Sequence, residues 1–144
     1  MNKIIALQGV GESGKTTTIG LLRDLFLGKN WKELRYVRGC QSTKDFAVIL
    51  QAGKLKVGIC TWGDNVKQLD LCLPKFRKEK CEFIVCAMRT RGGTVEYVED
   101  FAKADGTVLE RIHKDRTPDL AGQARENREV ARQISQLIEK EISK

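Results

Sequence analysis

Eight residues near the amino terminus constrain this chain more than any others: Gly9-Val10-Gly11-Glu12-Ser13-Gly14-Lys15-Thr16, the pattern G-x-x-x-x-G-K-[ST]. The apolar run Ile4-Ile5-Ala6-Leu7 precedes it and reads as a buried strand; the segment Thr17 to Leu27 follows it and reads as a helix. A strand that turns through glycines directly into a helix is a unit of α/β architecture. The expectation is a strand at Lys3 to Gln8 and a helix from Lys15 to about Gly28, with Ile19, Leu22, Leu25 and Phe26 on its core face.

Such a loop offers a chain of phosphates its backbone N–H groups, and the helix behind it adds the positive end of a dipole. Gly9, Gly11, Glu12, Ser13, Gly14, Lys15, Thr16 and Thr17 are the residues expected at the phosphates. The Lys15 ammonium would neutralise the β- and γ-phosphates, and the Thr16 hydroxyl would join the shell of a Mg²⁺ ion. Glu12 can equally project into solvent. These residues resemble the P-loop NTPase superfamily, and locally the phosphate loop of heterotrimeric G-protein α subunits. The resemblance covers about the first 25 residues. It implies a P-loop NTPase-like fold, a nucleoside triphosphate and Mg²⁺. The other guanine-nucleotide elements are missing. Alignment on Gly63 puts Cys60 where D-x-x-G needs its Asp, and Ile112-His113-Lys114-Asp115-Arg116 does not fit N/T-K-x-D. Ala102-Lys103-Ala104-Asp105 has that spacing but lacks Asn or Thr. ATP is therefore the expected nucleotide.

A chain of 144 residues is expected to form one domain with its own core. Hydrophobic content of 41% and charged content of 31% are those of a water-soluble globular protein. No apolar run approaches the ~20 residues of a membrane span, and the stretch before the loop is too short for a signal peptide. The five cysteines, Cys40, Cys60, Cys72, Cys81 and Cys86, form no C-x-x-C pair. They read as reduced thiols of a cytoplasmic protein, with Cys60 and Cys86 in the core. The net charge of +7 is dispersed. The one dense basic cluster, Lys75, Arg77, Lys78 and Lys80, is interrupted by Glu79 and followed by Glu82, and reads as a solvated helix face.

No repeat and no Pro/Gly/Ser-rich linker divides the chain. Residues Trp31 to Cys40 are ambiguous, with Tyr36-Val37-Arg38 a candidate short strand. Asp45 to Gln51 and Leu55 to Thr61, joined by Ala52-Gly53-Lys54, read as an antiparallel hairpin whose second strand is expected beside the first strand of the chain. A helix follows to about Lys80, with Asp64 as its cap and Pro74 breaking or kinking it. Glu82 to Met88 is a buried parallel strand, Val95 to Lys103 a short helix and Thr107 to His113 the last strand. Thr117 and Pro118 read as N-cap and first residue of a final helix. Its apolar stripe is Leu120, Ala124, Ala131, Ile134, Leu137, Ile138 and Ile142. The sum is a three-layer α/β sandwich, mostly parallel with one antiparallel hairpin, whose ligands belong at the carboxyl ends of the strands.

Chemistry-bearing residues follow from that placement. Asp64 is the candidate acidic partner of Mg²⁺, against the reading of a plain helix cap. Arg89 and Arg91 leave the strand expected to neighbour the first one. They suit charge stabilisation on a transferred phosphoryl group, against the reading of a solvated basic loop. Trp62 would stack on a base or pack under its loop; His113 would face the base or serve structure. The leading function is a Mg²⁺-dependent ATPase or small-molecule kinase using Lys15, Asp64, Arg89 and Arg91. A kinase needs an acceptor pocket and a lid, for which only residues 31–44 and 89–94 leave room. The alternatives are a slow-hydrolysing, nucleotide-gated module for a protein partner, and a nucleic-acid-binding protein.

Overall fold

The computed structural model of the protein describes residues 3–11, 13–36 and 45–142. Its elements run β1 (Lys3–Gln8), α1 (Lys15–Gly28), β2 (Lys32–Tyr36), β3 (Ala47–Ala52), β4 (Leu55–Cys60), α2 (Val66–Lys78), β5 (Phe83–Met88), α3 (Gly93–Ala104), β6 (Val108–His113) and α4 (Leu120–Ile142). The six strands form one sheet in the order β2-β3-β4-β5-β1-β6. β1 pairs in parallel with β5 on one side and β6 on the other, and β4 pairs in parallel with β5. β3 alone runs the other way, antiparallel to both β2 and β4.

The sheet separates two cores. Ile4, Ala6, Cys86 and Met88 face Leu69, Leu73, Phe76, Val98 and Phe101 of α2 and α3. Ile5, Leu7, Val85 and Ala87 face Ile19, Leu22 and Phe26 of α1 and Ala131, Ile134 and Ile138 of α4. β1 and β5 are apolar at nearly every position because both of their faces are covered. Cys60, Cys72, Cys81 and Cys86 are all buried. Burial pushes the Cys81 and Cys86 thiols up to about 12, so neither is a thiolate at neutral pH. No helix among the described residues is long and apolar enough to cross a membrane.

Several sequence expectations are corrected. β4 does not lie beside β1, because β5 intervenes. Pro74 does not break its helix: α2 continues through it. The proline is exposed, so the carbonyl that loses its intrahelical donor lies on the water side. The cap of α2 is Asn65, whose side chain accepts from the Gln68 N–H at 3.0 Å, and not Asp64. The last helix starts at Leu120, where the Asp119 carboxylate accepts from Gly122 N–H at 2.6 Å, so Asp119 takes the capping role expected of Thr117. Leu120 is 90% exposed and leaves the apolar stripe. α3 begins at Gly93, two residues earlier than expected. Val37, Arg38 and Cys40, with the rest of residues 37–44, lie outside the described residues.

Candidate functional site

The parallel arrangement delivers four chain segments to one edge of the sheet. β1 runs into the glycine loop, β4 into Thr61–Asp64, β5 into Arg89 and β6 into Lys114. β3, running opposite, starts at the same edge, so Asp45 and Phe46 join them. The Thr61 hydroxyl locks this corner, accepting from Phe46 N–H at 2.9 Å and donating to Asp45 Oδ1 at 3.1 Å.

Because β4 is one strand removed from β1, Asp64 reaches the loop only by crossing the end of β5. Gly63 makes that crossing. A Cβ at this position would stand 2.0 Å from the Ala87 carbonyl oxygen, so no other residue fits. The next residue, Asp64, comes to 3.6 Å from the Arg89 guanidinium. Arg89 in turn reaches over the loop: a Cβ on Gly11 would lie 3.9 Å from its Nη1. The Arg89 segment is fastened on two sides. Thr94 Oγ1 accepts from Arg89 N–H at 3.0 Å, and the Gln8 side chain donates to the Thr90 carbonyl at 2.9 Å.

Within the loop, Gly9 N–H donates to the Met88 carbonyl at 3.3 Å, so this amide belongs to the sheet. The Lys15 ammonium donates to the carbonyls of Gly9 and Val10. Its pKa is lowered, first by burial and then by the Arg89 charge, with Asp64 opposing. Ser13 is buried, and its hydroxyl has no hydrogen-bond partner among the described residues. Thr17 is exposed at the start of α1, and Glu12 lies outside the described residues. Lys15, Arg89 and Asp64 therefore meet at one helix N-terminus with two positive charges against one negative, an arrangement suited to an anion. Arg91 is exposed, and no contact among the described residues ties it to the loop.

The loop is supported from beneath by residues that the sequence did not single out. Asn127 of α4 is buried, and its Oδ1 accepts from Thr18 Oγ1 at 3.2 Å, Lys114 Nζ at 2.7 Å and Gln123 Nε2 at 3.0 Å. Gln123 Nε2 also donates to the Ser13 carbonyl at 3.0 Å. Gly14 sits directly on this hub. Its φ of +85° is one that glycine adopts without strain, and a Cβ there would stand 2.3 Å from Asn127 Oδ1. The Lys114 side chain is fully buried and pairs with Glu126 at 2.9 Å. The only local trace of this network is a set of polar residues on the inward side of an amphipathic helix, more than a hundred residues from the loop it holds.

Two clefts flank the loop. One, of about 660 Å³, runs down α1 from Thr16 and Thr17 past Asp24 and is also lined by Asp45, Phe46 and Asp64. The other, of about 520 Å³, is lined by Arg116, Thr117, Asp119 and Gln123. Trp62 packs against the α2–α3 core, and His113 is exposed at the end of β6. In the basic cluster of α2, Arg77 is spent on structure: it pairs with Asp105 at 3.0 Å and lies over the Phe101 ring at 3.5 Å. Among the described residues no three His, Cys, Asp or Glu side chains converge to hold a metal ion. Comparison with protein-family models, with curated proteins and with solved structures returns no match.

Proposed function

We propose that this chain is a P-loop nucleotide-binding protein that takes ATP with Mg²⁺ and releases or transfers its γ-phosphoryl group. The observation that carries the reading is the meeting of Lys15, Arg89 and Asp64 at the glycine loop, from three segments far apart in sequence. A plain glycine turn would not require it. The triphosphate lies along the loop, and Lys15 exchanges the carbonyls of Gly9 and Val10 for phosphate oxygens. The base takes the cleft between Arg116–Asp119 and Gln123, beside Ser13.

The residues present fit a Mg²⁺ ion of the kind that phosphates and waters mostly hold. A Thr16 hydroxyl opens on the same cleft as the Asp64 carboxylate, and such ions need few protein ligands. A Mg²⁺ ion held there by Thr16 and Asp64 would supply positive charge to the phosphates. Arg89 faces the charge that develops on the γ-phosphoryl oxygens, and its pairing with Asp64 keeps the guanidinium on the loop.

Titration calorimetry with MgATP tests the reading: absence of binding by the wild-type protein overturns it, and Lys15→Ala removes most of the affinity. The lowered Lys15 pKa adds a pH signature. Phosphate oxygens raise that pKa on binding, so the complex takes up a proton at alkaline pH wherever free Lys15 has lost its own. ATP affinity then falls as pH rises through the pKa of the free protein. Calorimetry in alkaline buffers of different ionisation enthalpy reads the proton directly. For Asp64, replacement by Asn retains nucleotide binding and loses most Mg²⁺-dependent turnover, because shape is kept while charge near the metal is removed. Unchanged phosphate release by this variant would pass the acidic role to another residue of the cleft.

A further inference from the structure

We propose that Gln123 is the positioning residue through which the nucleotide's base sets the phosphate loop, so that the site turns over nucleoside triphosphates far faster than polyphosphates that lack a base. The proposal rests on the nucleotide site argued above, whose base cleft and phosphate loop Gln123 joins.

A single side-chain amide spans the two. Its Oε1 accepts from Thr117 N–H at 3.0 Å and from the Thr117 hydroxyl at 3.3 Å. Its Nε2 donates to the Ser13 carbonyl at 3.0 Å and to Asn127 Oδ1, one helical turn further along α4, at 3.0 Å. The backbone of Gln123 is tied to the same cleft, its N–H donating to the Asp119 carbonyl at 3.1 Å. Thr117 and Asp119 line the cleft of about 520 Å³, while Ser13 belongs to the glycine loop. The amide has one orientation that satisfies both sides, because an N–H calls for its oxygen and a carbonyl for its nitrogen. A carboxylate in its place would lack the donor for Ser13, and an ammonium would lack the acceptor for Thr117.

Each end bears on one part of the ligand. The Ser13–Gly14 peptide is a rigid trans plane whose carbonyl and N–H point opposite ways. Holding the Ser13 carbonyl against α4 therefore aims the Gly14 N–H away from α4, out of the loop. On the other side, Pro118 and Leu120 give the cleft apolar surface for the flat face of a base, with Leu120 90% exposed. A base seated there steadies the segment of Thr117, and the Thr117 N–H steadies the amide that holds Ser13. Binding energy from a part of the substrate that takes no part in the reaction is thus spent on placing the phosphates, and it shows in kcat.

The test compares MgATP with magnesium tripolyphosphate, reading phosphate release by the wild-type protein, Gln123→Met and Gln123→Glu. Methionine keeps the length and loses both sets of hydrogen bonds. Glutamate keeps the acceptor for Thr117 and sets a carboxylate oxygen against the Ser13 carbonyl. The wild-type kcat for ATP is expected to exceed that for tripolyphosphate by about a hundredfold, the scale of a misplacement near 1 Å. Both variants are expected to cut that ratio by about tenfold or more. An equal loss on both substrates, with the ratio intact, makes Gln123 a support of the loop only and overturns the proposal. A wild-type kcat that is the same for both compounds, with only KM raised for tripolyphosphate, overturns it without any variant. Loss of the ratio in Gln123→Met but not in Gln123→Glu overturns the route through Ser13. Failure of the wild-type protein to bind ATP in calorimetry, or to turn it over, overturns the nucleotide reading itself.

Discussion

Replacing Arg89 by alanine lowers kcat for ATP on the order of a thousandfold while KM changes little, the loss seen when a guanidinium acting on a transferred phosphoryl group is removed. Arg89 leaves β5, the strand next to β1; its amide is held by Thr94 and its guanidinium stands over Gly11. A charge fixed there meets charge that grows in the transition state more than charge present in bound ATP. Lysine at this position restores little, because it lacks the planar fork. Arg91→Ala is the control. Arg91 is exposed and tied to nothing at the loop among the described residues, so its loss costs far less. Steady-state kinetics of the three variants decide the matter. Equal losses at both arginines, or a rise in KM with kcat unchanged, would move them from the transition state to ground-state binding.

Replacing Glu126 by alanine destabilises the fold by about 3 kcal/mol, the lower end of the cost of stripping one partner from a buried ion pair. Lys114 is the reason. Its side chain is fully buried, with Glu126 at 2.9 Å and Asn127 at 2.7 Å as its acceptors. Removing the carboxylate leaves an ammonium in the interior beneath the glycine loop. Urea unfolding measures the loss, and Glu126→Gln recovers part of it by keeping an acceptor. Exchanging Lys114 for Met together with Glu126→Gln recovers more, since the buried charge is then gone. A shift under about 0.5 kcal/mol for Glu126→Ala would mean that the ammonium reaches water another way. The same substitution weakens ATP binding, because Asn127 holds both Thr18 and, through Gln123, the Ser13 carbonyl.

Local patterns were readable in this sequence, and lateral neighbours only in part: β5 lies beside β1 as expected, and β4 does not. The strand before the glycines, the helix after them and the buried run of β5 all follow from periodicity within a dozen residues. The hairpin of β3 and β4 follows from a three-residue link with a glycine. The position of β4 does not. β4 and β5 are both apolar runs expected beside β1, and nothing in either says that β5 stands between β4 and β1. Helix starts were misplaced by one or two residues because adjacent side chains compete for the same amides: Asn65 prevailed over Asp64, and Asp119 over Thr117. Lys15, Asp64 and Arg89 could be picked out because motif and strand ends mark them, and the structure sets them together. Asn127, Gln123 and Lys114 could not, since a polar residue facing inward on a helix reveals its purpose only when its partner is known.

The order of strands in the sheet also sets an order in time. β1 precedes the other described strands in the chain, yet its partners are β5, which begins at Phe83, and β6, which begins at Val108. β2, β3 and β4, in contrast, pair with their immediate successors in the chain. Contacts that close short loops form sooner than those that close long ones. The antiparallel meander is thus able to assemble while β1 still lacks both flanks. The glycine loop takes its shape only after α4, which follows it in the chain by five strands, has come to rest beneath it.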